Sequence, residues 1–115
     1  MARRLTTNNQ INTFINRVIG EANHHAPGVA QVILPLSQAV RARLNLAQDR
    51  VEVYERLGQM ARTCWVTLGG KKYAFSYNYK AKKIDLRNRS IQGSLIYQFD
   101  NQTTAPSIRR VVAGL

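Results

Sequence analysis

Between Lys72 and Lys80 the chain alternates without a break: Tyr73, Phe75, Tyr77 and Tyr79 fall on one side, Ala74, Ser76 and Asn78 on the other. Strict period two is the signature of a half-buried β-strand. Just upstream, Gly69-Gly70 predicts a two-residue hairpin turn. That turn sets Thr67 opposite Lys72, Val66 opposite Tyr73 and Cys64 opposite Phe75. A second two-residue turn at Ala81-Lys82 puts Tyr79 opposite Ile84 and Tyr77 opposite Leu86. Both hairpins divide the residues in the same way. One face is aromatic and aliphatic; the other carries Trp65, Lys72, Lys80, Lys83, Arg87 and Arg89 with Ser76 and Asn78.

Around this centre the remaining elements follow from periodicity. Ile11, Phe14, Ile15, Val18, Ile19 and Ala22 recur at helical spacing, so an amphipathic helix is expected from about Thr7 to Asn23, with N-caps available in Thr6-Thr7-Asn8-Asn9. His24-His25-Ala26-Pro27-Gly28 ends it. Val29 to Gln48 carries a second apolar stripe, but Pro35 lies inside it. The spacing predicts either a kink there or a break that leaves the better helix at Ser37 to Ala47. Val51 to Glu55 alternates and opens the sheet or continues the helix; Leu57-Gly58-Gln59 is a turn. Strands are expected at about Ala61–Leu68, Lys71–Tyr79, Lys83–Asn88 and Ser94–Phe99. Thr104 then caps a short helix with Pro106 in its first turn. Residues 1–115 thus form a single α+β domain, with N-terminal helices on an antiparallel meander of four to five strands. Four inward-leaning tyrosines (Tyr73, Tyr77, Tyr79, Tyr97) imply a polar seam, a small cavity or a partly uncovered sheet, because each hydroxyl needs a partner.

Charge bounds the function. Seventeen Lys and Arg against six Asp and Glu give a net charge of +11, which attracts polyanions and repels like molecules. No apolar run approaches the ~20 residues of a membrane helix. Cys64 is the sole cysteine, so no intrachain disulfide can form, and a reducing, cytoplasmic setting is expected. On the hairpin register Cys64 faces inward, as a small hydrophobe rather than a nucleophile.

Enzyme signatures are thin. His24 and His25 have no acidic or thiol partner at ligand spacing and suit the end of a helix, so no metal or cofactor is expected. Asp85 lies between Lys83 and Arg87, as in a surface ion pair. Leu68-Gly69-Gly70-Lys71-Lys72 lacks the spacing of a phosphate loop. One reaction class needs no carboxylate: small ribonuclease toxins stabilise a phosphorane-like charge with Arg, Lys, Tyr and His on a sheet. The size and charge suit it, but no early N-terminal strand of the toxin architecture is evident here.

The simplest function is binding. Lys72, Lys80, Lys83, Arg87 and Arg89 meet phosphates, and Trp65 stacks on a base, as in a single-stranded nucleic-acid binder. The bland alternative is a solvated charged face with Trp65 packed on lysine stems. A homodimer is expected, and a further reading makes this face or the free sheet edge its seam. A third possibility is an interaction or small-ligand protein with a Tyr-lined cleft. The segment from Thr63 to Phe75, TCWVTLGGKKYAF, resembles the orphan proteins encoded by integron mobile gene cassettes. That resemblance implies a small, cytoplasmic, often oligomeric bacterial protein and transfers no site residue.

Overall fold

The computed structural model describes the backbone at residues 2–56 and 59–115, and the side chains at 3–53 and 63–115. Its elements run β1 (Ala2–Leu5), α1 (Asn8–His25), α2 (Ile33–Arg43), β2 (Arg50–Arg56), β3 (Gln59–Leu68), β4 (Lys71–Asn78), β5 (Lys83–Asn88), β6 (Leu95–Phe99) and α3 (Ala105–Ala113). The strands form one antiparallel sheet in the order β1-β2-β3-β4-β5-β6. The architecture is α+β, with six strands where the sequence suggested four to five. The turn expected at 57–59 lies outside the described residues in its first two positions.

The extra strand is β1. Ala2–Leu5 pairs with β2 through Leu5 opposite Val51 and Arg4 opposite Glu52. Four residues with two arginines carry no readable alternation, and among the described side chains of the strand Leu5, 1% exposed, is the one that anchors it in the core.

Helix α1 starts at a capping box. The Thr7 hydroxyl accepts from the Gln10 N–H at 3.1 Å, and the Gln10 side chain accepts from the Thr6 and Thr7 N–H groups. The helix runs through His24 and His25 and ends at Ala26. Helix α2 begins at Ile33, which places Pro35 in its first turn. There the missing N–H has no helical acceptor to lose, so neither the kink nor the start at Ser37 occurs. Asn101 holds the preceding turn. Its carboxamide oxygen accepts from Gln31 and Val32, and its amide donates to the Pro27 carbonyl at 2.7 Å. Thr104 caps α3 by accepting from Ser107, and Arg43 donates to the Val112 and Leu115 carbonyls at the other end.

The core lies between the helices and one sheet face. Ile11, Ile15, Leu36, Val40, Ile108 and Val112 pack toward Leu5, Val53, Val66, Tyr73, Leu86 and Phe99. Phe75, Tyr77, Ile84 and Cys64 are on the same side but only half-buried. No helix among the described residues is long and apolar enough to cross a membrane.

The first hairpin has the expected register: Thr67 opposite Lys72, Val66 opposite Tyr73, Cys64 opposite Phe75. Gly69 and Gly70 hold φ of 56° and 84° with open space around both, so the requirement there is conformational. The second hairpin is corrected by two residues. Tyr77 lies opposite Ile84, Phe75 opposite Leu86 and Asn78 opposite Lys83. The connection is four residues long because Asn78 organises it: its Oδ1 accepts from the Lys80 and Ala81 N–H groups, and its carbonyl from Lys82. A two-residue slip preserves parity, so the faces are unchanged.

Asp49, buried before β2, clamps the first turn. One carboxylate oxygen accepts from the Asn45 N–H at 2.9 Å and the other from the Gly69 N–H at 3.0 Å. The Asn45 bond, then the Gly69 bond, holds the carboxyl below the usual carboxylate range. A depressed folded-state value stabilises the fold above the unfolded-state pKa of about 3.9 and loses that contribution as pH falls through the folded-state value. Thermal melts in an acid series should therefore show the wild type losing Tm faster than Asp49→Asn below about pH 4, the two converging at the acid end. Parallel curves would mean that Asp49 does not hold the turn.

Candidate nucleic-acid interface

The face turned away from the helices is ordered in cross-strand rows. At one end Arg50 lies opposite Thr67 and Thr67 opposite Lys72; the Arg89 N–H donates to the Lys72 carbonyl at 2.9 Å. The next row reads Arg4, Glu52, Trp65, Ala74, Arg87 and Leu95. The third reads Thr63, Ser76, Asp85 and Gln98, and Asn78 pairs with Lys83 beyond it.

The rows divide the six sequence-predicted residues. Trp65, Lys72, Arg87 and Arg89 gather at one end. Lys72 Nζ stands 5.9 Å from the centroid of the Trp65 ring, close enough for a cation–π contact. Trp65 is half-buried, and Lys72 and Arg89 are exposed. Arg89 adopts φ of 70°, an uncommon value for a residue with a β-carbon. Lys83 belongs to the far end, about 20 Å along β4 from Lys72 at the rise of a strand. Its Nζ lies 3.8 Å from an Asp100 carboxylate oxygen. Lys80 is not on a strand; it occupies the four-residue connection after Asn78.

Two cations that the sequence did not single out complete the nearer cluster. Arg50 and Arg4 are exposed and share the parity of Trp65. Nothing in the sequence marks Arg4, because β1 has no alternation, and the alternation of β2 is legible only from Val51, one residue past Arg50. Among the described residues of these two rows, Glu52 is the one acidic group.

Asp85 is not a surface ion-pair member. It is 4% exposed, in the middle of the open face, and accepts from three side chains: Gln98 Nε2 at 2.8 Å, Asn78 Nδ2 at 3.1 Å and Arg87 Nη2 at 3.2 Å. Three donors, one of them cationic, compensate the buried charge. Arg87 also donates through Nη1 to the Gly93 carbonyl at 3.0 Å, and its side chain is 27% exposed. Ala74 is fully buried despite its position on the open face, because its row neighbours Trp65 and Arg87 are long enough to cover it. The face therefore has a fixed polar keel of Asn78, Asp85, Arg87 and Gln98 beside an exposed cationic end.

Other chemistry is limited. Burial pushes the Cys64 thiol up to about 12, far from a reactive thiolate. His25 lies 3.7 Å from Glu21 on the exposed side of α1. Among the described residues no three His, Cys, Asp or Glu side chains come together as metal ligands. The tyrosines form ring contacts: Tyr77 edge-on to Tyr79 at 4.8 Å and Tyr97 with Phe99 at 5.0 Å. A cleft of about 650 Å³ at the Gly70 end of the sheet includes Tyr73 with Lys71, Lys72 and Arg89.

Fold and site together define a two-layer α+β protein with one helix-covered and one open, basic sheet face. Residues 11–109 match the family described as integron cassette protein VCH_CASS1 chain, and the chain belongs to that family. The match runs from the first turns of α1 into α3 and leaves β1 outside. It agrees with the resemblance carried by Thr63 to Phe75. Among curated proteins nothing matches the chain.

The keel makes Arg87 a structural residue. Arg87→Ala removes the charged partner of a buried carboxylate and should cost about 1.5–3 kcal/mol of stability in urea unfolding. Lys72→Ala, on an exposed position, should change stability by less than about 0.5 kcal/mol. Equal costs would show that Asp85 does not depend on Arg87.

Proposed function

We propose that the open sheet face binds single-stranded nucleic acid without cleaving it, and that the protein works in the reducing cytoplasm. The observation that carries this reading is the clustering of Arg4, Arg50, Lys72 and Arg89 around the half-exposed Trp65. Cations beside an aromatic platform suit a backbone that is charged and bases that stack. Arg87, held by Asp85 and Gly93, supports the platform. Lys80 and Lys83, at the far end, extend the track along the strand direction. The net charge of +11 adds long-range attraction for a polyanion.

Fluorescence anisotropy with a labelled single-stranded oligonucleotide over a salt series tests the reading. Lys72→Ala and Arg89→Ala should each flatten the log–log salt dependence by about 0.7 for every phosphate the native side chain neutralises. Trp65→Ala should weaken binding by ~1–3 kcal/mol, the worth of one stacked base. Lys83→Ala should have a smaller effect than Lys72→Ala, because Lys83 faces Asp100. Absence of binding at low salt, or unchanged slopes in both variants, would exclude the face as a nucleic-acid surface.

A second reading, a ribonuclease-type toxin, gains support from β1. The early strand that the sequence did not reveal stands at the sheet edge ahead of two helices. Arg50, Lys72 and Arg89 would then stabilise charge developing on the scissile phosphate. RNA incubated with catalytic amounts of pure protein separates the two readings: intact RNA supports binding alone, and cleavage that Arg89→Ala abolishes supports the toxin.

A further inference from the structure

We propose that the cleft at the Gly70 end of the sheet seats the phosphorylated end of a nucleic-acid strand, so that the protein prefers single strands that carry a terminal phosphomonoester. The inference rests on the reading of the open face as a single-strand surface. It names the part of the strand that the end of that face receives.

The cleft holds about 650 Å³, room for a nucleotide as well as its phosphate. Its cations come from two places in the chain: Lys71 and Lys72 open β4, and Arg89 follows β5. No Asp or Glu lines it. By strand alternation Lys72 shares the open face with Trp65, whereas Lys71 falls with Tyr73 on the helix-covered side. Asn88, opposite Tyr73, belongs to that side too. The cleft therefore turns round the end of the sheet, from the Trp65 platform toward α3. A strand stacked on Trp65 leads into it.

Charge decides between the interior of a strand and its end. An internal phosphodiester carries one negative charge; a terminal phosphomonoester carries about −1.5 to −2 at pH 7 and offers three acceptor oxygens. Three cations in one cleft exceed what a single diester neutralises and suit the dianion. Gly114 and Leu115, at the end of α3, bound the cleft on the helix side. A strand that entered from the open face and continued would have to pass them; a strand that ended there would not.

The backbone adds a donor. Gly69 gives its N–H to Asp49, but the neighbouring Gly70 N–H has no protein acceptor among the described residues, and Gly70 lines the cleft. No atom stands within 4 Å of where a β-carbon on Gly70 would be, so a phosphate oxygen can approach that N–H closely.

Arg89 is fixed in place. Its positive φ turns the chain out of β5, and its N–H is held on the Lys72 carbonyl at 2.9 Å. The Asn88 N–H on the Ser94 carbonyl and the Ser90 N–H on the Asn88 carbonyl hold the residues on either side. A left-handed residue with a β-carbon persists only where its surroundings over-determine it, and such residues gather at binding sites. One influence opposes an anion here: the C-terminal end of α3 presents carbonyls, the negative end of its dipole. Arg43 donates to the Val112 and Leu115 carbonyls and offsets it.

Fluorescence anisotropy of the full chain with one short, internally labelled single strand in three forms tests the proposal: phosphorylated at the 5′ end, phosphorylated at the 3′ end, and with hydroxyls at both. The phosphorylated form whose polarity matches the cleft should bind tighter than the hydroxyl form by on the order of tenfold. Lys71→Ala, off the open face, should remove that gain and leave binding of the hydroxyl form unchanged. Arg109→Ala, an equal loss of charge at an exposed position on α3, should keep the gain. Thermal melts check that both variants fold. Equal affinity for all three forms would overturn the proposal and leave the reading of the open face standing. A gain that survives Lys71→Ala, or that Arg109→Ala removes as well, would be general attraction and would overturn it too. Failure of every form to bind would overturn the reading of the face and this inference with it.

Discussion

The turn at Gly69-Gly70 sets the geometry on which everything else rests. Both residues hold positive φ, a pair of conformations that a side chain would oppose, and the resulting two-residue turn brings Cys64 opposite Phe75 and Trp65 opposite Ala74. A slip of one residue would exchange the faces of β3 relative to β4, putting Trp65 into the helix layer and Val66 into solvent. Asp49 guards against this. Its carboxylate holds the Gly69 N–H and the Asn45 N–H, so the turn is fastened to the loop that leads into β2. One buried carboxylate thus couples the register of the central hairpin to the entry of the strand beside it.

From that register the two faces acquire different physics. The helix-covered side is held by burial: Leu86 and Phe99 are fully enclosed, and Asn101 pins the α1–α2 turn to the end of β6 with side-chain and backbone bonds. The open side is held by electrostatics. Asp85 collects three donors in the middle of the face, which fixes Asn78, Arg87 and Gln98 in place and leaves Trp65 seated beside them. A strongly cationic surface costs a protein stability through self-repulsion. Asp85 offsets part of that cost at Arg87, the cation it pairs with.

Local signals were read best where one rule governed. The Gly-Gly turn, the apolar stripe of α1 and the Thr104 cap of α3 appear as the sequence suggests, and so does the alternation of β4 as far as Asn78; Tyr79, expected on the inward side, lies past the end of the strand and is 54% exposed. Elsewhere tertiary context decided. Asn78 drew the second hairpin into a four-residue connection through its side chain, which a count of turn residues does not anticipate. Pro35 was harmless because α2 starts two residues before it, a boundary fixed by Asn101 from seventy positions away. Strand β1 had no alternation to reveal it, and with it Arg4 was missed. Asp85, flanked by Lys83 and Arg87, had every appearance of an exposed pair; only the sheet brings Gln98 and Asn78 onto it and closes it from water. Parity survived the two-residue slip of the second hairpin, so Lys83 and Arg87 keep their expected face. Parity carries no information about distance along the strand, and that distance separates Lys80 and Lys83 from the cluster at Trp65.

The central claim is that the open sheet face, at its Trp65 end, receives single-stranded nucleic acid. Titration of isotope-labelled protein with a short single-stranded oligonucleotide, followed by NMR, tests it most directly. The account predicts that the Trp65 indole resonance and the amides of Arg50, Lys72 and Arg89 shift together and saturate at one stoichiometry, while those of α1, α2 and α3 stay in place. Shifts confined to the helices, or none at a salt concentration low enough to favour phosphate contacts, would contradict it.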